Sequence, residues 1–349
     1  MKIKYLFLFV GFFELSVQGR SKILHLTFHK GCLNEFQRVA EIFDIELTSI
    51  MVPDMPSKWL DGQTTGNNIY NITHRYAQDA WDLHKVFFNQ FDAIVTSDTG
   101  PLARIFLQNN CKKPLIIWVC NRFDYGDQAS AQGKFPDKEY YELFKQATTN
   151  PLIKIISYTP FEYFYAGRKG IHIGTYTIKP CTLPAENLFE SLVPRKINKA
   201  STFFIPPYHN DTHFMDLSKK CSELGIENFR GRYNGPQDLK DFKGIIHIPY
   251  ALSNLALFEN IQYGLIYFIP SKKFVKKLAQ KTNFWFQDWH MNSLDYSEWY
   301  LEENAPLFVY FESWQDLKNK VKTLDYEKKR EEILKFARNH TINVSSTNL

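Results

Sequence analysis

Short apolar runs alternate with longer amphipathic stretches along almost the whole chain. Residues 22–28 (KILHLTF) predict a strand, and the run 33–43 has the spacing of a helix packed on one side. Strands follow at 46–52, 91–96, 114–120 and 153–158, with helices at 74–88, 101–109 and 138–148 between them. The polar stretch 53–72, rich in Gly, Asn and Thr, predicts a long loop. From 182 to 200 the alternation lapses into Pro, Glu, Asn and Lys, as in a linker. A second alternation then begins, with strands at 202–205, 227–230, 244–248, 265–269 and 308–311 and helices at 211–224 and 237–242. A charged helix over 325–339 closes the chain. Strand, turn and helix in repeated order with short connections is the pattern of a parallel α/β sheet. The chain has 349 residues, more than one core usually serves. The expected fold class is therefore α/β with two Rossmann-like domains, 22–181 and 201–324, joined by a linker at 182–200 and followed by a helix and tail at 325–349.

Ligands of open α/β sheets bind beyond the carboxyl ends of the strands, so the loops that follow strands are the candidate sites. In the first domain, His29, Lys30 and Gly31 follow the first strand; His29 is a candidate base or acceptor contact and Lys30 a phosphate partner, or both are solvated loop residues. Asp98 follows the strand 91–96 as a candidate general base, or as the N-cap of the helix that begins at Pro101. Asn121, Arg122 and Asp124 end the most apolar strand and read as a hydroxyl-recognition surface, with an Arg122–Asp124 salt bridge as the structural alternative.

The second domain carries the densest pattern. Residues 242–271, FKGIIHIPYALSNLALFENIQYGLIYFIPS, place two apolar runs on either side of Ser253, Asn254, Glu259 and Gly264. This order resembles the donor site of GT-B glycosyltransferases, which reads roughly P-S-x-x-E-x-F-G-x-x-x-x-E-A-x-x-x-G-x-P-V-I. The resemblance implies two domains facing a cleft, with a nucleotide-sugar bound to the second. It also implies that Glu259 lies in the first turn of a helix and binds vicinal hydroxyls. Ser253 and Asn254 would add donors for a diphosphate, Gly264 would let helix and strand approach closely, and Arg232 would grip phosphate. The E-x-F-G portion is replaced by residues 251–255, and Pro206, Pro207, Tyr208 and His209 stand where the family has an Arg and Lys pair. The alternative for this stretch is an ordinary βαβ unit with Glu259 as a capping acid.

Composition narrows the chemistry. A net charge of +5 with Lys and Arg scattered among acids does not argue for nucleic acid. Aromatics make up 16% of the chain, which suits dense cores or a carbohydrate cleft. Residues 1–19 read as a secretory signal, with Lys2 and Lys4 before the apolar run 6–13, and imply a secretory route or periplasm. No later run is long enough to span a bilayer, so the only membrane attachment expected is an uncleaved signal anchor. Five cysteines, Cys32, Cys111, Cys120, Cys181 and Cys221, show no zinc spacing; Cys111 and Cys120 either close a loop or stay reduced. No Asp-x-Asp follows a strand, so no metal or other cofactor is expected. Dinucleotide, P-loop and nucleophile-elbow motifs are missing too. The expected activity is sugar transfer from a nucleotide-sugar to a glycan, lipid or protein acceptor. The alternative is a non-catalytic bilobal solute-binding protein, whose chain crosses between lobes more than once.

Overall fold

A computed structural model describes residues 21–42, 44–52, 70, 72–125, 137–177, 193–194, 196–209, 215–280 and 291–346. The secretory signal read at 1–19 lies outside them. The chain divides into two compact units, one reaching to Cys181 and the other spanning Thr182–Ser346.

In the first unit, β1 (Lys22–Thr27), β2 (Glu46–Met51), β3 (Ala93–Asp98), β4 (Leu115–Val119) and β5 (Ile153–Ser157) form one parallel sheet in the order β2-β1-β3-β4-β5. β3 and β4 are buried along their whole length, as expected of strands covered on both faces. The helices are α1 (Lys30–Ile42), α2 (His74–Phe88), α3 (Arg104–Gln108), α4 (Lys138–Ala147) and α5 (Pro160–Arg168). Their starts are fixed by side-chain caps: Thr73 accepts from the Tyr76 amide, Asp137 from the Tyr140 amide, and Thr159 with Glu162 forms a capping box. Phe88, Phe106, Phe123 and Phe144 fill the core, each worth about 1.5–3 kcal/mol of burial.

The second unit repeats the plan with β6 (Phe203–Ile205), β7 (Asn228–Arg230), β8 (Gly244–Ile246), β9 (Tyr267–Pro270) and β10 (Phe308–Phe311), ordered β10-β9-β8-β6-β7 and parallel throughout. Its helices are α6 (Leu217–Glu223), α7 (Leu255–Ile261), α8 (Lys272–Ala279), α9 (Trp314–Thr323) and α10 (Tyr326–Ser346). Numbered within its own unit, each sheet has the strand order 2-1-3-4-5, the doubly wound Rossmann-like arrangement. In that order the chain reverses direction between the first and third strands, and the connecting loops splay apart there.

Several expected boundaries move. The helix expected at 101–109 is a 3-10 turn, Gly100–Ala103, followed by the short α3. The expected 237–242 helix is a 3-10 turn, Pro236–Asp238. The described part of the expected linker is docked on the second unit rather than free. The Lys199 carbonyl accepts from the Lys243 amide at 3.0 Å, and its ammonium donates to the Asp238 carbonyl at 2.9 Å. The last helix, α10, also packs on this unit, where the Arg330 guanidinium donates to the Phe242 carbonyl at 2.7 Å.

Candidate functional site

The second unit opens a cavity of about 730 Å³ on the carboxyl side of its sheet, where β6 and β8 part. Pro206, Pro207 and Tyr208 line it from the loop after β6, Arg232, Tyr233 and Asn234 from the loop after β7, and His247 and Tyr250 from the loop after β8. Asn254, Asn260 and Tyr267 complete the polar lining. Among the described residues, Arg232 is the one formally charged side chain that lines it. Its neighbour Arg230 is committed elsewhere, pairing with Asp216 at 2.9 Å and donating to the His209 carbonyl.

His209 holds the two splayed loops together. Its Nε2 lies 2.9 Å from both the amide nitrogen and the carbonyl oxygen of Ile248, and its Nδ1 lies 3.2 Å from the Pro206 carbonyl oxygen. Burial presses its pKa down to about 4. His247 meets it edge to face, ring centroids 4.9 Å apart, and is held well below the ordinary histidine value by burial and by His209. Neither His247 nitrogen has a hydrogen-bond partner. Asn260 donates to the Tyr267 hydroxyl at 2.5 Å and leaves its own Oδ1 without a partner. Burial, then the charge of Glu259, raises the Tyr233 phenol to about 12, so it remains a donor at neutral pH. The cavity thus combines one cation, a group of phenol rings and a neutral donor–acceptor floor, a set suited to an anionic, partly aromatic and hydroxylated ligand.

The first unit brings His29 and Asp98 to the matching place in its own sheet, beyond β1 and β3. Asp98 ends β3 with φ at +79°, and its carbonyl accepts from the Cys120 and Asn121 amides at 3.0 and 2.8 Å. Those two bonds hold an L-residue in the left-handed region it seldom adopts. Burial pushes the Asp98 carboxyl up to about 7, the Cys32 thiolate adds to this, and the charge of His29 opposes it. The capping alternative does not hold: the N-cap of the following turn is Thr99, with no side-chain cap bond. The His29 ring is hydrogen-bonded with the Gly31 amide, 3.0 Å from Nδ1, and with the Cys32 sulfur. Tyr70 stands close by, its phenol raised to about 12 by burial and by Asp98.

The residues singled out in the sequence are partly gathered and partly scattered. Arg232 and Asn254 line the cavity, but the Asn254 side chain is occupied as the N-cap of α7, accepting from the Ala256 amide at 3.0 Å. Ser253 precedes it, half-buried. Glu259 is not in the first turn of α7 but at its fifth position, behind Tyr233, because the helix begins only at Leu255. Gly264 has φ at +66°, and a Cβ there would lie 3.2 Å from Leu334 of α10. That glycine therefore serves a left-handed turn under α10 rather than a close helix–strand contact. Lys30 is exposed at the start of α1, beside Gly31. Asn121 is half-buried and accepts from the Arg122 amide, and the Arg122 guanidinium lies over the Tyr125 ring at 5.0 Å. Asp124 is not on a recognition surface: it is fully buried and accepts from Tyr141 and Tyr165, with Lys169 at 3.8 Å. Cys120 adjoins Cys32, not Cys111. His247, Tyr250, Asn260 and Tyr267 were not picked out, since within an apolar run nothing local separates a cavity residue from a core residue.

Among the described residues no three His, Cys, Asp or Glu side chains are placed to hold a metal ion, and no helix is long and apolar enough to cross a membrane. No protein-family profile and no curated protein sequence matches the chain. Two solved structures are similar over most of its length. One is Arabidopsis thaliana UGT89C1 complexed with UDP-L-rhamnose, with 9% identity over 92% of this chain and 94% of that one and a TM-score of 0.46. The other is the glycosyltransferase SnogD from Streptomyces nogalater, with 7% identity over 94% of this chain and 98% of that one and a TM-score of 0.43.

Proposed function

We propose that this chain is a GT-B-type glycosyltransferase that binds a nucleotide-sugar in the second unit and transfers the sugar to an acceptor hydroxyl. The observation that carries the reading is the cavity of about 730 Å³ at the β6/β8 switch point, with Arg232 on its wall. On this reading Arg232 holds the diphosphate and the phenol rings of Tyr208 and Tyr250 flank the flat nucleobase. Asp98, with its pKa near neutrality, is the first unit's candidate for the base that takes the proton of the acceptor hydroxyl. His29 is the weaker candidate because its side chain is engaged with the Gly31 amide and the Cys32 sulfur. The negative charge that builds on the departing diphosphate is met by Arg232, so the step as drawn calls for no metal or other cofactor. Export through residues 1–19 belongs to the same proposal.

The solute-binding alternative is disfavoured by chain order. The described residues pass from the first unit to the second once, between 177 and 193, whereas a solute-binding chain crosses repeatedly. Calorimetric titration with UDP, GDP, ADP and CMP tests the reading, with Arg232→Ala as its control. One nucleotide should bind, and the variant should bind it about ten- to a hundredfold more weakly, the loss expected for a charged hydrogen-bond partner. No binding by any nucleotide, or equal binding by the variant, would sink the proposal.

A further inference from the structure

Two cysteines 88 residues apart meet beyond the first sheet, with their Sγ atoms 3.7 Å apart. Cys32 is the third residue of α1, and Cys120 directly follows β4. Both are buried, and both are free thiols in this structure. We propose that Cys32 and Cys120 form a redox dithiol that reduces small hydroperoxides and closes to a disulfide.

The two sulfurs are already in van der Waals contact, and a disulfide needs them at about 2 Å, a closure that rotation of two short side chains supplies. Their surroundings are unequal in the way the chemistry requires. Cys32 lies in the first turn of a helix, where the dipole favours a thiolate. Burial pushes its pKa up, but hydrogen bonds from Cys120, His29 and Ser97 and the charge of His29 outweigh this and bring it below the ordinary thiol value. Cys120 moves the opposite way, raised by burial and by Cys32 and so kept protonated. A buried relay supports the same assignment. Burial holds His25 neutral, at a pKa of about 3, with Nε2 2.8 Å from the Ser97 oxygen and Nδ1 3.1 Å from the Ser49 oxygen. If Ser97 donates to Cys32, it must accept from His25 Nε2–H, and Ser49 then donates to Nδ1. Every proton in the relay is thereby directed toward the Cys32 sulfur.

The reaction balances with hydrogen peroxide as the named oxidant. The Cys32 thiolate attacks one peroxide oxygen, the O–O bond breaks, and the departing hydroxide takes from solvent the proton that the Cys32 thiol released on ionising, leaving as water. Cys32 is then a sulfenic acid. Cys120 gives up its proton as its sulfur attacks the Cys32 sulfur. The S–O bond breaks, and the leaving hydroxide recovers that proton as a second water. Two thiols are oxidised to one disulfide and one peroxide is reduced to two waters. Because both sulfurs are buried, the oxidant is a small molecule and not the disulfide of another protein.

The test uses the reduced full-length protein, treated with hydrogen peroxide, quenched, alkylated and mapped by peptide mass spectrometry. The expected product is a Cys32–Cys120 linked peptide that a reductant reopens. Cys32 should be consumed at least about tenfold faster than Cys221, which is also buried but whose thiol burial raises to about 12. Cys120→Ser should stop the reaction at a Cys32 sulfenic acid that dimedone captures. Folded wild-type protein whose Cys32 and Cys120 both remain alkylatable, or whose Cys111 oxidises first, overturns the proposal.

Discussion

Replacing His247 with leucine should make the unliganded protein more stable, and the gain should grow in acid. The imidazole is 1% exposed, and its two nitrogens have no hydrogen-bond partner. An unsatisfied buried polar atom costs about 1–3 kcal/mol, which leucine, of similar volume, does not carry. The exchange gives up the ring's contact with Trp299, centroids 4.7 Å apart, worth about 0.5–1.5 kcal/mol. Two such atoms cost about 2–6 kcal/mol against about 0.5–1.5 for the ring contact, so the balance at neutral pH is a gain of at least about 0.5 kcal/mol. Burial holds the folded-state pKa of His247 well below 6.5. Below that value the unfolded chain binds a proton that the folded chain refuses, so wild-type stability falls as pH falls. Leucine has no such loss, and the gap between the two proteins should widen by up to about 1.4 kcal/mol per pH unit below 6.5. Urea unfolding of both proteins at about pH 7.5 and about pH 5.5, followed by fluorescence, reads both effects. A leucine variant that is less stable at both values, or a gap that does not change with pH, would show that the His247 nitrogens are satisfied or that the ring is protonated in the folded state.

Gly264→Ala should cost about 1–2 kcal/mol in the same urea assay, because a Cβ at φ +66° is strained and meets Leu334 at 3.2 Å; wild-type stability would refute the left-handed turn. Once a donor is identified, Asp98→Asn should lower the transfer rate by about 10²–10⁴-fold. Since the carboxyl must be ionised to act as base, the wild-type rate should rise with pH through about 7, and the variant should lack that rise.

The architecture was legible because it is written in local periodicity. All ten strands among the described residues fall within a few residues of where the apolar runs place them, and the helix expected at 74–88 is His74–Phe88. The helix Pro160–Arg168 was not anticipated, since its aromatic sequence FEYFY gives no clear polar face. The sites were less legible because they are assembled by contacts between distant segments. His209 reaches Ile248 across 39 residues, and Cys32 reaches Cys120 across 88. Arg232 was identified from its place after a strand, which the parallel topology turns into a cavity wall. Glu259 was misplaced because the sequence does not reveal that Asn254 is the cap and that the helix therefore begins at Leu255. Asp124 has the composition of a surface residue, and only the packed structure shows the Tyr141 and Tyr165 hydroxyls that draw it inward.

The most direct measurement of the functional reading is backbone hydrogen exchange of the full chain, with and without each nucleotide of the UDP, GDP, ADP and CMP panel. One of them should protect the amides of Tyr208 and His209, of Arg232 to Asn234 and of His247 to Asn254, omitting proline, which together border the β6/β8 switch point. Protection confined to the first unit, or none at these loops with any nucleotide, would contradict a nucleotide-sugar site in the second unit.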